Sequence, residues 1–125
     1  MKKILIVEDT ESTRKVLALK LTKEHFNVLE AENGKIGLEV ALKEKPDLLI
    51  VDMLMPVMDG FKMIDKLRAD KEWGVNANVM ILTNLTPTED IYDKIGKAKL
   101  LFYMVKDDWA LNDLCNKVEE LIGEA

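Results

Sequence analysis

The chain has 125 residues, 48% hydrophobic and 33% charged, with a formal net charge of −5. This is a globular composition, long enough for one ordinary core, and it argues against a disordered chain or a basic nucleic-acid-binding surface. A single cysteine excludes an internal disulfide, and no apolar run approaches the ~20 residues that span a bilayer, so a soluble cytoplasmic domain over residues 1–125 is expected.

The opening MKKILIV imitates a signal peptide until Glu8 and Asp9 interrupt it. Lys3–Val7 is a β-branched apolar run, read as a first buried strand that ends in acid. Thr10 is a candidate cap, with Glu11 in the first turn of a helix to about His25 whose stripe is Val16, Leu17, Ala18 and Leu21. Phe26–Ala31 is a second strand. Asn33-Gly34 makes a turn, and a helix carrying Ile36, Val40 and Ala41 inward runs to about Glu44, where Pro46 breaks it. Asp47–Val51 is a third strand, uniformly apolar after its first residue and stopped by Asp52.

Asp59 reads as a local helix cap with Gly60 easing the backbone, and Phe61, Ile64 and Leu67 mark a helix to about Asp70. Trp73–Asn78 is a loop. Val79–Leu82 is a fourth strand ending at Thr83-Asn84. Thr86 as cap, Pro87 at the first position and Glu89 three after the cap predict a helix with Ile91 and Ile95 inward, weakened or ended at Gly96. Leu100–Val105 is a fifth strand ending at Lys106. A last helix is expected from Asp107 or Asp108, with Leu111, Leu114, Cys115, Val118, Leu121 and Ile122 as its stripe.

Strand–helix alternation repeated five times with short connections implies an α/β fold: a (βα)5 doubly wound parallel five-stranded sheet. Ligands of such sheets bind outside the carboxyl ends of the strands. Those ends carry Glu8 and Asp9, Asp52, Thr83 and Lys106. Alone, each has a commoner reading: a solvated loop for the acidic pair, a cap for Asp52, a loop hydroxyl for Thr83, a surface charge for Lys106. Together they place three carboxylates, a hydroxyl and an ammonium in one cleft. Adjacent carboxylates resist ionising together, and a hard divalent cation such as Mg2+ removes the conflict. A carboxylate beside Mg2+ can attack phosphorus, with Lys106 and Thr83 ready to receive phosphoryl oxygens.

These residues are a pattern known from one family. Over essentially its whole length the chain resembles the receiver domain of two-component response regulators, of the stand-alone, chemotaxis-regulator-like kind. The resemblance rests on Glu8-Asp9, the segment Asp52-Met53-Leu54-Met55-Pro56-Val57-Met58-Asp59-Gly60, Thr83, and Lys106 with Tyr103 three residues before it. It implies the flavodoxin-like strand order 2-1-3-4-5. It further implies that Asp52 is the phospho-acceptor. Asp9 and Asp52 would bind Mg2+ directly, Glu8 through water, and Leu54 through its backbone carbonyl. Thr83, Lys106 and the backbone N–H groups of Met53 and Asn84 would hold the phosphoryl group, with Thr83 and Tyr103 as a switch pair. The implied donor is a histidine kinase or histidine phosphotransfer protein. The implied output is a protein target reading the surface of the fourth helix, fifth strand and fifth helix, with no output domain, no direct nucleic-acid contact and no membrane insertion. A monomer is expected, with dimerisation on phosphorylation left open.

The chain departs from the family pattern at Asp107, where a Pro is usual, and in a connection to the last helix about one residue longer. It departs again at Lys99-Leu100, in place of a small pair, and at Asn84, in place of a small residue. Leu54 and Leu85 are apolar where a side chain could orient water, so self-dephosphorylation is expected to be slow. A haloacid-dehalogenase-type phosphatase would need an acid at Leu54, and a flavin binder a phosphate loop in place of Glu8-Asp9. The remaining alternative is a non-phosphorylated receiver-like interaction module. Trp109 and Tyr92 read as packing or part-exposed residues more than partner contacts, Met53, Met55, Met58 and Met63 as core filling, His25 as a surface residue and Cys115 as inert.

Overall fold

A computed structural model describes residues 1–125, the side chain of Lys97 excepted. Five strands, β1 (Lys3–Val7), β2 (Asn27–Ala31), β3 (Leu48–Val51), β4 (Val79–Thr83) and β5 (Phe102–Val105), form one parallel sheet in the order β2-β1-β3-β4-β5. Five helices connect and follow them: α1 (Glu11–Lys23), α2 (Gly34–Glu44), α3 (Gly60–Arg68), α4 (Glu89–Ala98) and α5 (Leu111–Ile122). Short 3-10 turns lie at Gly74–Asn76 and Lys106–Asp108.

The inner strands are apolar at every position because both faces are covered. Alternation divides them. Ile4, Ile6, Leu48, Ile50, Met80, Leu82 and Met104 pack with Leu17, Ala18 and Leu21 of α1 and Leu114, Cys115 and Val118 of α5. Leu5, Val7, Leu49, Val51, Val79 and Ile81 pack with Ala41 of α2, Met63, Ile64 and Leu67 of α3 and Ala98 of α4. Each fully buried Leu, Ile or Met contributes about 1.5–3 kcal/mol, so slipping a strand by one residue loses little here except at its polar end. The ends are what fix position. β1 aligns Val7 with Val51 and with Ala31, which sets Glu8 and Asp52 side by side. β4 and β5 align Thr83 with Val105, one residue before Lys106.

Three expectations about the helices need correction. Val16 is 54% exposed and lies off the α1 stripe, which is Leu17, Ala18 and Leu21. The cap of α4 is Thr88, whose hydroxyl accepts the Ile91 N–H at 3.4 Å, and not Thr86. This choice puts Glu89 and Asp90 in the first turn, against the positive end of the helix dipole. The helix also runs through Gly96 to Ala98. Finally, α5 starts at Leu111, not at Asp107 or Asp108. Those residues form a 3-10 turn, Trp109 is extended, and the Asp113 carboxylate accepts the Ala110 N–H at 3.0 Å, fixing the helix start there.

Other readings hold. Met53 and Met63 are buried, and Met55 and Met58 pack on the same cluster. His25 is an exposed left-handed residue after α1, with φ 73°. Cys115 is buried, and desolvation pushes its thiol up, so it is a poor nucleophile. Trp109 packs edge-on against Phe102 with ring centroids 5.8 Å apart, while Tyr92 is exposed.

The loop after β3 stores strain at Val57. Its φ is 67°, and the Met58 N–H donates to the Pro56 carbonyl at 2.7 Å across it, a three-residue turn. A β-branched residue in the left-handed region costs roughly 1–2 kcal/mol, and Val57 is 75% exposed, so little packing offsets this. Val57→Asn is therefore expected to stabilise the protein by about 1 kcal/mol, read as a raised urea midpoint; an unchanged or lower midpoint contradicts the strain.

Candidate functional site

The carboxyl ends of β1 and β3 meet where the strand order reverses, which is the crevice used by doubly wound sheets. Asp52 directly follows β3 and is 7% exposed; Glu8 directly follows β1 and is 2% exposed. Thr83 is wholly buried, and Asp9 is exposed at the mouth. Oxygen atoms of Glu8, Asp9 and Asp52 all lie within 4.8 Å of one another. The sequence-predicted acids, hydroxyl and ammonium therefore converge.

One cation bridges the two buried acids. Lys106 Nζ lies 2.5 Å from Glu8 Oε1 and 3.1 Å from Asp52 Oδ2. The other Asp52 oxygen, Oδ1, accepts the Leu54 N–H at 3.2 Å. Glu8 Oε2 is buried with no hydrogen-bond partner among the described residues. Burial, reinforced by the neighbouring Asp52, pushes the Glu8 carboxyl up to about 7. Burial also raises Asp52, but the Glu8 carboxyl, the Thr83 hydroxyl, the Lys106 charge and the Leu54 N–H outweigh it and hold the group below the usual range. Lys106 is raised: its desolvation is more than offset by the two carboxylates. Three acids against one ammonium leave excess negative charge and an orphaned oxygen, a donor set of hard oxygens suited to a divalent cation.

Glycine shapes the crevice by close approach rather than by φ. A Cβ on Gly60 would stand 2.5 Å from the Asp52 carbonyl, and one on Gly34 2.3 Å from the Met58 carbonyl. Asp59 caps α3 by accepting the Lys62 N–H at 2.8 Å, as its position suggested. It is not one of the clustered acids.

Thr83 and Tyr103 share the α4 side of the sheet. Tyr103 is half-buried, and its hydroxyl donates to the Leu85 carbonyl at 2.5 Å. Thr83 Oγ1 accepts the Leu85 N–H at 3.4 Å. The two residues thus engage opposite ends of Leu85, a link the sequence did not signal. Asn84 makes no hydrogen bond through its side chain among the described residues. It lines a cavity of about 330 Å³ with Leu17, Lys106, Trp109 and Leu114, beside the β5–α5 connection. Every peptide bond is trans, including Lys106–Asp107. Lys99 is left-handed, φ 55°, and ends α4, while Leu100 packs on the core.

Arg14 was not foreseen. Its Nη1 donates to the Glu8 carbonyl at 2.8 Å and its Nε to Glu30 Oε1 at 3.2 Å. A signal existed: a cation in the opening turns of a helix opposes the dipole, so it needs some other partner.

The family model of the response regulator receiver domain matches residues 4–119. The chain belongs to the response-regulator receiver family. This receiver is 34% identical over 99 residues to protein PilH of Pseudomonas aeruginosa, covering 79% of this chain and 82% of PilH. It superposes on the Vibrio cholerae chemotaxis protein CheY4 with a TM-score of 0.86 at 25% identity, covering 97% and 98% of the two chains. It superposes on the Thermotoga maritima response regulator TrrA, solved in complex with Mg2+–BeF, with a TM-score of 0.80 at 28% identity, covering 97% and 99%. It spans only 15% of PleD from Caulobacter vibrioides and 37% of PhoP from Bacillus subtilis, so relatives carry the domain at very different lengths. Receiver domains are signalling domains of two-component systems that work with histidine kinases and downstream targets. Among the described residues, no helix is long and apolar enough to cross a membrane. Family membership sets aside the phosphatase and flavin-binder readings.

Proposed function

We propose that this receiver takes a phosphoryl group onto Asp52 in the presence of Mg2+. The observation that carries the reading is the buried Asp52 carboxylate, ionised and oriented by Lys106 and the Leu54 N–H, within 4.8 Å of two further acids. Asp9 and Asp52 would hold the metal directly, Glu8 through water and Leu54 through its carbonyl. When bound, Mg2+ neutralises the acids and the incoming phosphoryl oxygens. An Asp52 oxygen attacks phosphorus, and the bond from phosphorus to the donor's leaving group breaks, the donor being a histidine kinase or phosphotransfer protein. Lys106, now paired with Glu8 and Asp52, turns its charge to the phosphoryl group, joined by the Thr83 hydroxyl and the Met53 and Asn84 N–H groups.

Drawing Thr83 toward the phosphoryl group frees space on the α4 side, where the half-buried Tyr103 donates its hydroxyl to the Leu85 carbonyl. The Tyr103 ring settles further into that space and the α4-β5-α5 surface repacks for a protein partner. With Mg2+ and beryllofluoride, amide exchange is expected to change at Asn84–Thr88 and around Tyr103, and not in β1. No change at either place contradicts the switch.

Leu54 is exposed and Leu85 half-buried, and neither can orient an attacking water. The phosphorylated protein is therefore expected to persist on the order of minutes to hours. Following loss of the phosphoryl group after removal of the donor checks this; a lifetime of seconds overturns it.

A further inference from the structure

Arg14 lies in the second turn of α1, with its side chain only 11% exposed. Near the positive end of a helix dipole a cation is unfavourable, and burying it adds desolvation, so its place must be set by partners. There are two. Nη1 reaches back to the Glu8 carbonyl at 2.8 Å, and Nε reaches Glu30 Oε1 on β2 at 3.2 Å, where Lys15 Nζ also pairs at 3.1 Å. The Glu8 N–H is held from the same strand, donating to the Ala31 carbonyl at 3.0 Å. Both backbone groups of Glu8 are thereby fixed to elements outside the turn. The turn itself has little else: the Thr10 side chain makes no cap hydrogen bond to α1, and Asp9 is exposed.

We infer that Arg14 is a positioning residue for the acidic turn, clamped by Glu30, and that it holds Glu8 and Asp9 where a divalent cation can bridge them to Asp52. This rests on the metal site proposed above. Arg14 itself touches neither metal nor phosphoryl group. A planar fork can bridge a carbonyl and a carboxylate at once, whereas the single ammonium of a lysine cannot reproduce that geometry. Partners that orient metal ligands from behind typically matter 10–100-fold in affinity.

The sign of the effect separates positioning from simple charge. Removing a cation beside three acids, by itself, tightens Mg2+ binding. Loss of positioning weakens it. Calorimetric Mg2+ titration of Arg14→Met is expected to show roughly tenfold weaker binding. Arg14→Lys, which keeps the charge, should be nearly as weak. Glu30→Ala, which removes the acceptor at the other end of the fork, should weaken binding several-fold, and it decides the matter if Arg14→Met does not fold. In metal-free Arg14→Met, amide exchange at Asp9 and Thr10 should rise while β3 stays protected. Equal or tighter Mg2+ binding by Arg14→Met, or full rescue by Arg14→Lys, overturns the inference. If the unmodified protein fails to bind Mg2+, the metal-site reading fails and the inference with it; if it binds and the variants match it, the inference alone fails.

Discussion

Lys106→Met is expected to destabilise the metal-free protein by about 3 kcal/mol at pH 8, because it leaves two buried carboxylates without their shared cation. Glu8 can relieve part of this by taking a proton, since burial and Asp52 already push it up to about 7. Asp52 has less escape. Burial alone would raise it, and its hydrogen-bond partners together with the Lys106 charge are what hold it below its ordinary value of 3.8. A depressed carboxyl contributes stability that is present above its unfolded value and is lost as pH falls through the folded one. The deficit of the variant should accordingly shrink as pH falls below 3.8, where Glu8 is already neutral and the contribution of Asp52 is lost through its depressed value. Urea unfolding at pH 8 and at about pH 3, with chelator present, checks this. An equal loss at both pH values would assign the effect to packing of the lysine stem instead.

Glu8→Gln should act in opposite directions with and without metal. The Glu8 carboxyl is raised from 4.5 to about 7, by burial first and then by Asp52. A raised group contributes stability that is fully present below its unfolded value and lost as pH rises through the folded one. Between pH 4.5 and 7, this one group therefore erodes the stability of the metal-free protein. Glutamine removes that cost while still accepting from Lys106. In chelator at pH 8 the variant is expected to be more stable by about 2 kcal/mol, and the difference should vanish near pH 5. With Mg2+ the order reverses. A ligand that binds only the folded state stabilises by about 2.7 kcal/mol at a hundredfold excess over its Kd, and the variant forfeits much of that gain. Thermal melts at pH 5 and 8, each with chelator or Mg2+, give all four values. A variant less stable than the parent in chelator at pH 8 contradicts the account of the orphaned Glu8 oxygen.

The sheet was legible because its strands are apolar on both faces and end in polar residues. Asp52, Glu8-Asp9, Thr83 and Lys106 are each the first polar group at or beyond the end of an apolar run. Parallel strands align those ends, so one-dimensional punctuation became a three-dimensional cluster. Helix starts were less legible where two signals competed. Thr86 and Thr88 flank Pro87, and both can cap; the dipole's preference for Glu89 and Asp90 in the first turn decides for Thr88. Before α5, Asp107 and Asp108 look like caps, yet the acid that fixes the start is Asp113, three residues beyond Ala110.

Contacts that depend on a long side chain reaching across elements were not legible at all. Arg68 donates to the carbonyls of Gly74, Ala77, Ala98 and Lys99, tying the end of α3 to the end of α4. Arg14 ties α1 to the acidic turn and β2. Nothing in local periodicity reports such reach, and only the unfavourable placement of Arg14 in its own helix hints at it. The Tyr103 bond to Leu85 is of the same kind: spacing from Lys106 identifies the residue, while its present orientation is a property of the packed loop.

Phosphoryl transfer to Asp52 is tested most directly by the intact mass of the protein after exposure to acetyl phosphate. One added phosphoryl group is expected when Mg2+ is present, none in chelator, and none on Asp52→Asn under either condition. No addition to the unmodified protein with Mg2+, or equal addition to Asp52→Asn, would contradict it and favour a receiver that works without phosphorylation at Asp52.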